Sequence, residues 1–138
     1  MGDNNQQQIG EVVSRSYGQC CTSPSFFDDF YKNFFSLSAE ISRQFRHTDL
    51  SKQKELLRSG LGHVIMSFKG NTMSNLKMGK IGKSHSKNEL NIKPELYPLW
   101  RKALLKTIEN HDPEYCDKIR RAWVTVIHAG INQLVNAY

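Results

Sequence analysis

The chain has 138 residues, enough for a single domain with a proper core, since about two thirds of the unfolded surface is buried at this size. Hydrophobic residues make up 38% and charged residues 23%, an ordinary balance for a water-soluble domain. No apolar run approaches the ~20 residues of a membrane span, and no secretory leader is recognisable at the start, so the sequence predicts neither a membrane partner nor export. The formal net charge of +6 permits an anionic partner, but the cations are scattered or fall on solvated helix faces. Without a concentrated stripe or a groove-reading element, nucleic acid is not expected.

The polar start predicts fraying over residues 1–7, followed by a first helix from Gln6 to Tyr17 with Ile9, Val12, Val13 and Tyr17 on its apolar side, ended by Gly18. Ser23-Pro24 reads as an N-cap with proline at the first helical position. The second helix then carries Phe27, Phe30, Tyr31 and Phe34 at i, i+3, i+4 and i+7. The phenylalanines read as core, whereas a buried Tyr31 hydroxyl needs a partner. A short helix from Ala39 leads to Phe45, and the chain turns at His47-Thr48-Asp49. Thr48 or Asp49 caps a longer helix whose inner face reads Leu50, Gln53, Leu57, Leu61, Val64 and Phe68, with one amide among apolar side chains. Residues 69–75 read as a loop.

The next helix contains Met78, Ile81 and His85 on one face and Lys77, Lys80, Lys83 and Lys87 on roughly the opposite one. Gly79 and Gly82 each cost about 1 kcal/mol of helix propensity relative to alanine, so this helix is weak by itself and is expected to be largely disordered without a bound group. Pro94 starts another helix with Leu96, Tyr97, Trp100, Leu104 and Ile108. Asp112-Pro113 again reads as a cap and a first-turn proline, opening a last helix with Ile119, Trp123, Val126, Ile127, Gly130, Ile131 and Leu134. Nothing alternates with period two, so the expected class is all-α.

Three cysteines, Cys20, Cys21 and Cys116, cannot all pair, and two of them are adjacent; free thiols in a reducing cytoplasm are expected. No two of the five histidines stand three to five apart, so there is no zinc set. Phosphate-binding glycine loops, a nucleophile elbow and a dinucleotide fingerprint are absent. Taken alone, a histidine in line with an apolar stripe is more often a hydrogen-bonded core residue than a ligand. Here, however, Tyr31, Phe45, Gln53 and His85 put a ring or polar group on the inner side of four separate segments. One histidine without a second protein ligand suits an iron porphyrin, whose ring supplies four nitrogens and leaves a sixth position open.

At these residues the sequence resembles the globin family, and most closely the single-domain bacterial globins and the haem domain of flavohaemoglobins. The run from Phe30-Tyr31 through Phe34-Phe35 to Phe45 is similar to the family's F-Y-x-x-x-F pattern and pocket phenylalanine. Lys52-Gln53-Lys54-Glu55-Leu56-Leu57 resembles its distal D-Q-R-E-A-L run, and Ile92-Lys93-Pro94-Glu95-Leu96-Tyr97 its I-K-P-E-x-Y. Gln53 and His85 are 32 positions apart, as the family spacing expects. The resemblance covers residues 8–138 and implies one globin domain, a three-on-three helical sandwich around haem b. His85 becomes the proximal iron ligand, Phe45 the ring stacked on the porphyrin, Tyr31 and Gln53 the distal hydrogen-bonders and Leu57 the apolar wall beside the ligand. Tyr97 matches the proximal tyrosine that supports the histidine.

Two departures matter. The connection from Phe45 to Gln53 is shorter than in flavohaemoglobins, and the family's proximal glutamate is replaced at its position by Tyr138. The implied function is reversible binding of oxygen, carbon monoxide or nitric oxide by a cytoplasmic monomer or weak homodimer. The alternatives are a nitric oxide dioxygenase served by an external reductase, and a gas-sensing module acting on a separate partner.

Overall fold

Each predicted apolar stripe forms a helix. The computed structural model describes residues 2–138, with side chains from residue 5 onward. It contains α1 (Gly2–Cys21), α2 (Phe26–Ser36), α3 (Ala39–Gln44), α4 (Leu50–Phe68), α5 (Thr72–Ser84), a 3-10 turn (Pro94–Leu96), α6 (Tyr97–His111) and α7 (Asp117–Asn136). Among the described residues there are no strands, so the all-α expectation holds.

The helices stack in two layers. α1, α4 and α5 form one and α2, α6 and α7 the other, with α1, α4 and α5 all resting on α7. Phe26, Phe30, Leu104, Ile108 and Trp123 are fully buried between the layers. Burial of each such side chain contributes roughly 1.5–3 kcal/mol, which is why the i, i+3, i+4 spacing prevails over weak local propensity.

The boundaries correct the sequence reading in several places. The first helix runs past Gly18 to Cys21 and reaches back to Gly2, while Met1 and the side chains of residues 2–4 lie outside the described residues. Gln6 and Gln7 give the glutamine run a use. Their side-chain amides donate to the carbonyls of Phe68 and Lys69, the latter at 2.8 Å, and so satisfy acceptors that the end of α4 leaves without helical partners. Ser25, not Ser23, precedes α2; Ser23 hydrogen-bonds the His111 ring instead, at 2.7 Å. Asp49 caps α4 as expected, accepting from the Lys52 amide at 3.3 Å. The presumed loop 69–75 is helical from Thr72, because the Asn71 side chain accepts from the Ser74 amide at 2.9 Å and opens α5.

Asp112 is not the N-cap of the last helix, which begins at Asp117. Its carboxylate is buried, accepting from Ser16 Oγ at 2.6 Å and the Glu114 amide at 2.9 Å, while Trp123 Nε1 donates to the same serine at 2.9 Å. That network ties α1, the α6–α7 turn and α7 together. All three cysteines are free; Cys20 is buried, and burial pushes its thiol up to about 12, as suits a packing residue.

Candidate functional site

α5 carries His85 to its own C-terminal end, where the residue caps the helix. The His85 backbone N–H donates to the Ile81 carbonyl at 3.0 Å, and the ring Nδ1 lies 2.8 Å from the same oxygen. A carbonyl only accepts, so Nδ1 carries the hydrogen and Nε2 keeps its lone pair. Ser84 Oγ, which also donates to Ile81 at 2.9 Å, stands 3.2 Å from Nδ1. Among the described residues Nε2 has no hydrogen-bond partner. Burial holds the ring below its ordinary value, outweighing the Ile81 hydrogen bond, so the imidazole favours its neutral form.

His85 faces a cavity of about 810 Å³. A volume of ~300–1,000 Å³ suits a small-molecule or cofactor pocket. Its walls come from α2 to α7 and are mainly apolar, with Met78, Ile81, Val64, Trp100, Ile127 and Ile131 among them. The six residues singled out from the sequence, Tyr31, Phe45, Gln53, Leu57, His85 and Tyr97, all line it.

Their detailed positions differ in quality. Tyr31 is 5% exposed and its ring packs edge-on against Phe30 at 5.0 Å. Its hydroxyl donates to the Gln53 backbone carbonyl at 3.4 Å, a long contact that a better acceptor would displace. Burial pushes the Tyr31 phenol up to about 12, so it remains a donor over the ordinary pH range. The Gln53 side-chain amide stands beside the same hydroxyl and partly offsets the rise that burial causes. Leu57 stands one turn beyond it on the same wall. Phe45 ends α3 and packs against Phe35 at 5.5 Å and Phe34 at 6.2 Å, which fixes its ring at the cavity.

Tyr97 starts α6 and is buried, its phenol raised to about 12 by burial and, secondarily, by Tyr138. The structure brings it to the cavity but not into a hydrogen bond with His85, whose Nδ1 belongs to Ile81. Tyr138 donates instead to the Asn91 side chain. Further polar residues on the wall were not anticipated, among them His63, Thr48 and Gln44. His63 lies beside the Gln53–Leu57–Leu61 stripe and bonds Ser74 Oγ through Nδ1 at 3.2 Å; only the packing of α4 on α5 reveals it.

Among the described residues no group of three or more His, Cys, Asp or Glu side chains could hold a metal ion. A single free imidazole nitrogen on an apolar cavity is instead the donor set for an iron that brings its own macrocycle. No helix among the described residues is long and apolar enough to cross a membrane.

The globin family model matches residues 28–134. A solved protein of Pseudomonas aeruginosa PAO1, described as structurally highly homologous to a human haemoglobin, superposes with a TM-score of 0.90 at 41% identity, covering 94% of this chain and 98% of that one. No curated protein matches. With more than three quarters of its length inside the family match, the chain belongs to the globin family.

Proposed function

We propose that residues 1–138 form one haem-binding domain that reversibly takes up a diatomic gas. The observation that carries this reading is the free Nε2 of His85, aimed by the Ile81 hydrogen bond and facing an apolar cavity of about 810 Å³. When bound, haem b would supply an iron able to take up oxygen, carbon monoxide or nitric oxide.

The remaining work belongs to the chain. His85 Nε2 would hold the iron, and the Ile81 carbonyl fixes the ring's tautomer. Phe45 and Leu57 exclude water from the cavity. The Tyr31 hydroxyl, held only by its 3.4 Å contact with the Gln53 carbonyl, would be the donor to a bound gas, with the Gln53 amide beside it. A hydrogen bond to a partly charged ligand is worth about 1.5–3 kcal/mol.

A neutral backbone carbonyl behind His85, with Tyr138 bonded to Asn91 where flavohaemoglobins place a glutamate, favours carriage of the gas over oxygen activation. The three free thiols suit a reducing cytoplasm. The test is an optical spectrum of the purified, haem-loaded protein, reduced and then exposed to carbon monoxide. One haem per chain and a shift that reverses when the gas is removed are expected. No haem uptake, or a spectrum indifferent to carbon monoxide, overturns the proposal.

A further inference from the structure

No Asp or Glu occurs between Glu55 and Glu89, a stretch that holds Arg58, Lys69, Lys77, Lys80, Lys83 and Lys87. Two of these cations are engaged. Arg58 lies over the Phe27 ring at 4.9 Å, and Lys69 pairs with Glu11 at 2.8 Å. The other four lysines are exposed and, among the described residues, make no ion pair. At ~100° per residue, Met73, Leu76, Lys77, Lys80 and Lys83 fall within about 120° of arc on the outer side of α5. Met73 is 68% and Leu76 61% exposed. The face is thus an apolar centre bordered by unpaired positive charge, the arrangement of an interface core and rim. Lys77 and Lys80 also reach the mouth of the cavity.

From this we infer that the outer face of α5 docks an acidic one-electron carrier protein, which keeps the iron behind it ferrous. The inference rests on the haem reading. Charge of a single sign at the mouth steers an oppositely charged partner to the point of closest approach to the cavity. Electron-transfer encounters bury small surfaces and rely on such steering, and three lysines around two apolar residues match that scale. One electron leaves the carrier's reduced flavin and enters ferric iron; the flavin is oxidised, the iron reduced, and no bond forms or breaks.

The probe is flavodoxin, an acidic flavoprotein. Its reduced form is mixed with the ferric haem protein in a stopped-flow cell at ~0.02 M and ~0.2 M salt, and its oxidised form is titrated into isotope-labelled protein while backbone amides are followed by NMR. The reduction rate is expected to fall about tenfold with salt. It should fall similarly in Lys80→Glu/Lys83→Glu, and the amide shifts should cluster between residues 73 and 87. A salt-independent rate, or shifts confined to other helices, overturns the inference. So does lysine-dependent sedimentation with phosphatidylglycerol vesicles when flavodoxin shifts nothing, which would assign the face to lipid. If the double variant does not fold, the salt series and the amide map on the native chain still decide. Failure to load haem would sink the haem reading while leaving the amide map to judge docking; haem loading with no shifts on α5 would sink docking alone.

Discussion

The imidazole Nδ1 of His85 lies 2.8 Å from the carbonyl oxygen of Ile81, one turn earlier on the same helix. The orientation of the imidazole at the cavity wall is therefore set by α5 itself. Anything that shifts α5 shifts the nitrogen, and α5 is set in turn by α7.

Gly82 is the point of closest approach. A Cβ there would meet Ala137 Cβ at 2.9 Å, with Gln133 O at 3.6 Å and Leu134 Cδ2 at 3.7 Å. At Gly79 nothing lies within 4 Å of the same atom. Gly82→Val is expected to destabilise the protein by about 1–3 kcal/mol through overpacking, and Gly79→Ala to stabilise it by about 0.5–1 kcal/mol through helix propensity. Urea unfolding of both variants measures this. Equal effects of the two would show that α7 does not seat against Gly82.

Tyr31 and the bound gas give a kinetic prediction. Tyr31→Phe keeps the ring among Phe30, Phe35 and Phe45 and removes only the donor. Oxygen release should speed up by about 10–100-fold, the equivalent of one hydrogen bond of about 1.5–3 kcal/mol. An unchanged release rate, read by stopped-flow displacement with carbon monoxide, would remove Tyr31 from the site.

The phenols of Tyr31 and Tyr97 are both raised by burial from 10.0 to about 12. A raised folded-state value means that the unfolded chain loses these protons first. Their contribution to stability is fully present below pH ~10 and is lost as pH rises through about 12. Denaturation midpoints of the haem-free protein should fall over that window, and less steeply in Tyr31→Phe. An identical slope in the variant would contradict the burial of that hydroxyl.

Away from the cavity, Asp112 is the polar residue on which the packing of α1 against α7 depends. Asp112→Ala strips acceptors from Ser16 Oγ and the Glu114 amide inside a buried network. A loss of about 1.5–3 kcal/mol in urea unfolding is expected, with the carbon monoxide spectrum retained. A loss below ~0.5 kcal/mol, the range of ordinary surface changes, would contradict this role.

The cavity residues were legible in the sequence because each sits on, or directly ends, a helix whose period projects it inward. Phe30, Tyr31 and Phe34 follow the 3.6 repeat, Gln53 and Leu57 lie one turn apart, and His85 continues the Met78–Ile81 line. Cap residues were less legible. Ser23-Pro24 and Asp112-Pro113 both carry the local signature of a helix start, yet Ser23 is drawn to His111 and Asp112 to Ser16, partners 88 and 96 residues away. Asn71 was hidden within an apparent loop, although it opens α5. The need for glycine at 82, the place of His63 and the departure of Tyr97 from His85 are tertiary facts. They depend on how α7 meets α5, how α5 meets α4, and which acceptor reaches Nδ1 first.

The most direct test replaces His85 by glycine and records the optical spectrum of the reduced, haem-exposed protein with and without added imidazole. Loss of the native spectrum in His85→Gly and its recovery with free imidazole are expected, since the small molecule can supply the missing nitrogen in the same cavity. A native spectrum from His85→Gly alone would contradict the assignment of Nε2 as the nitrogen that holds the iron.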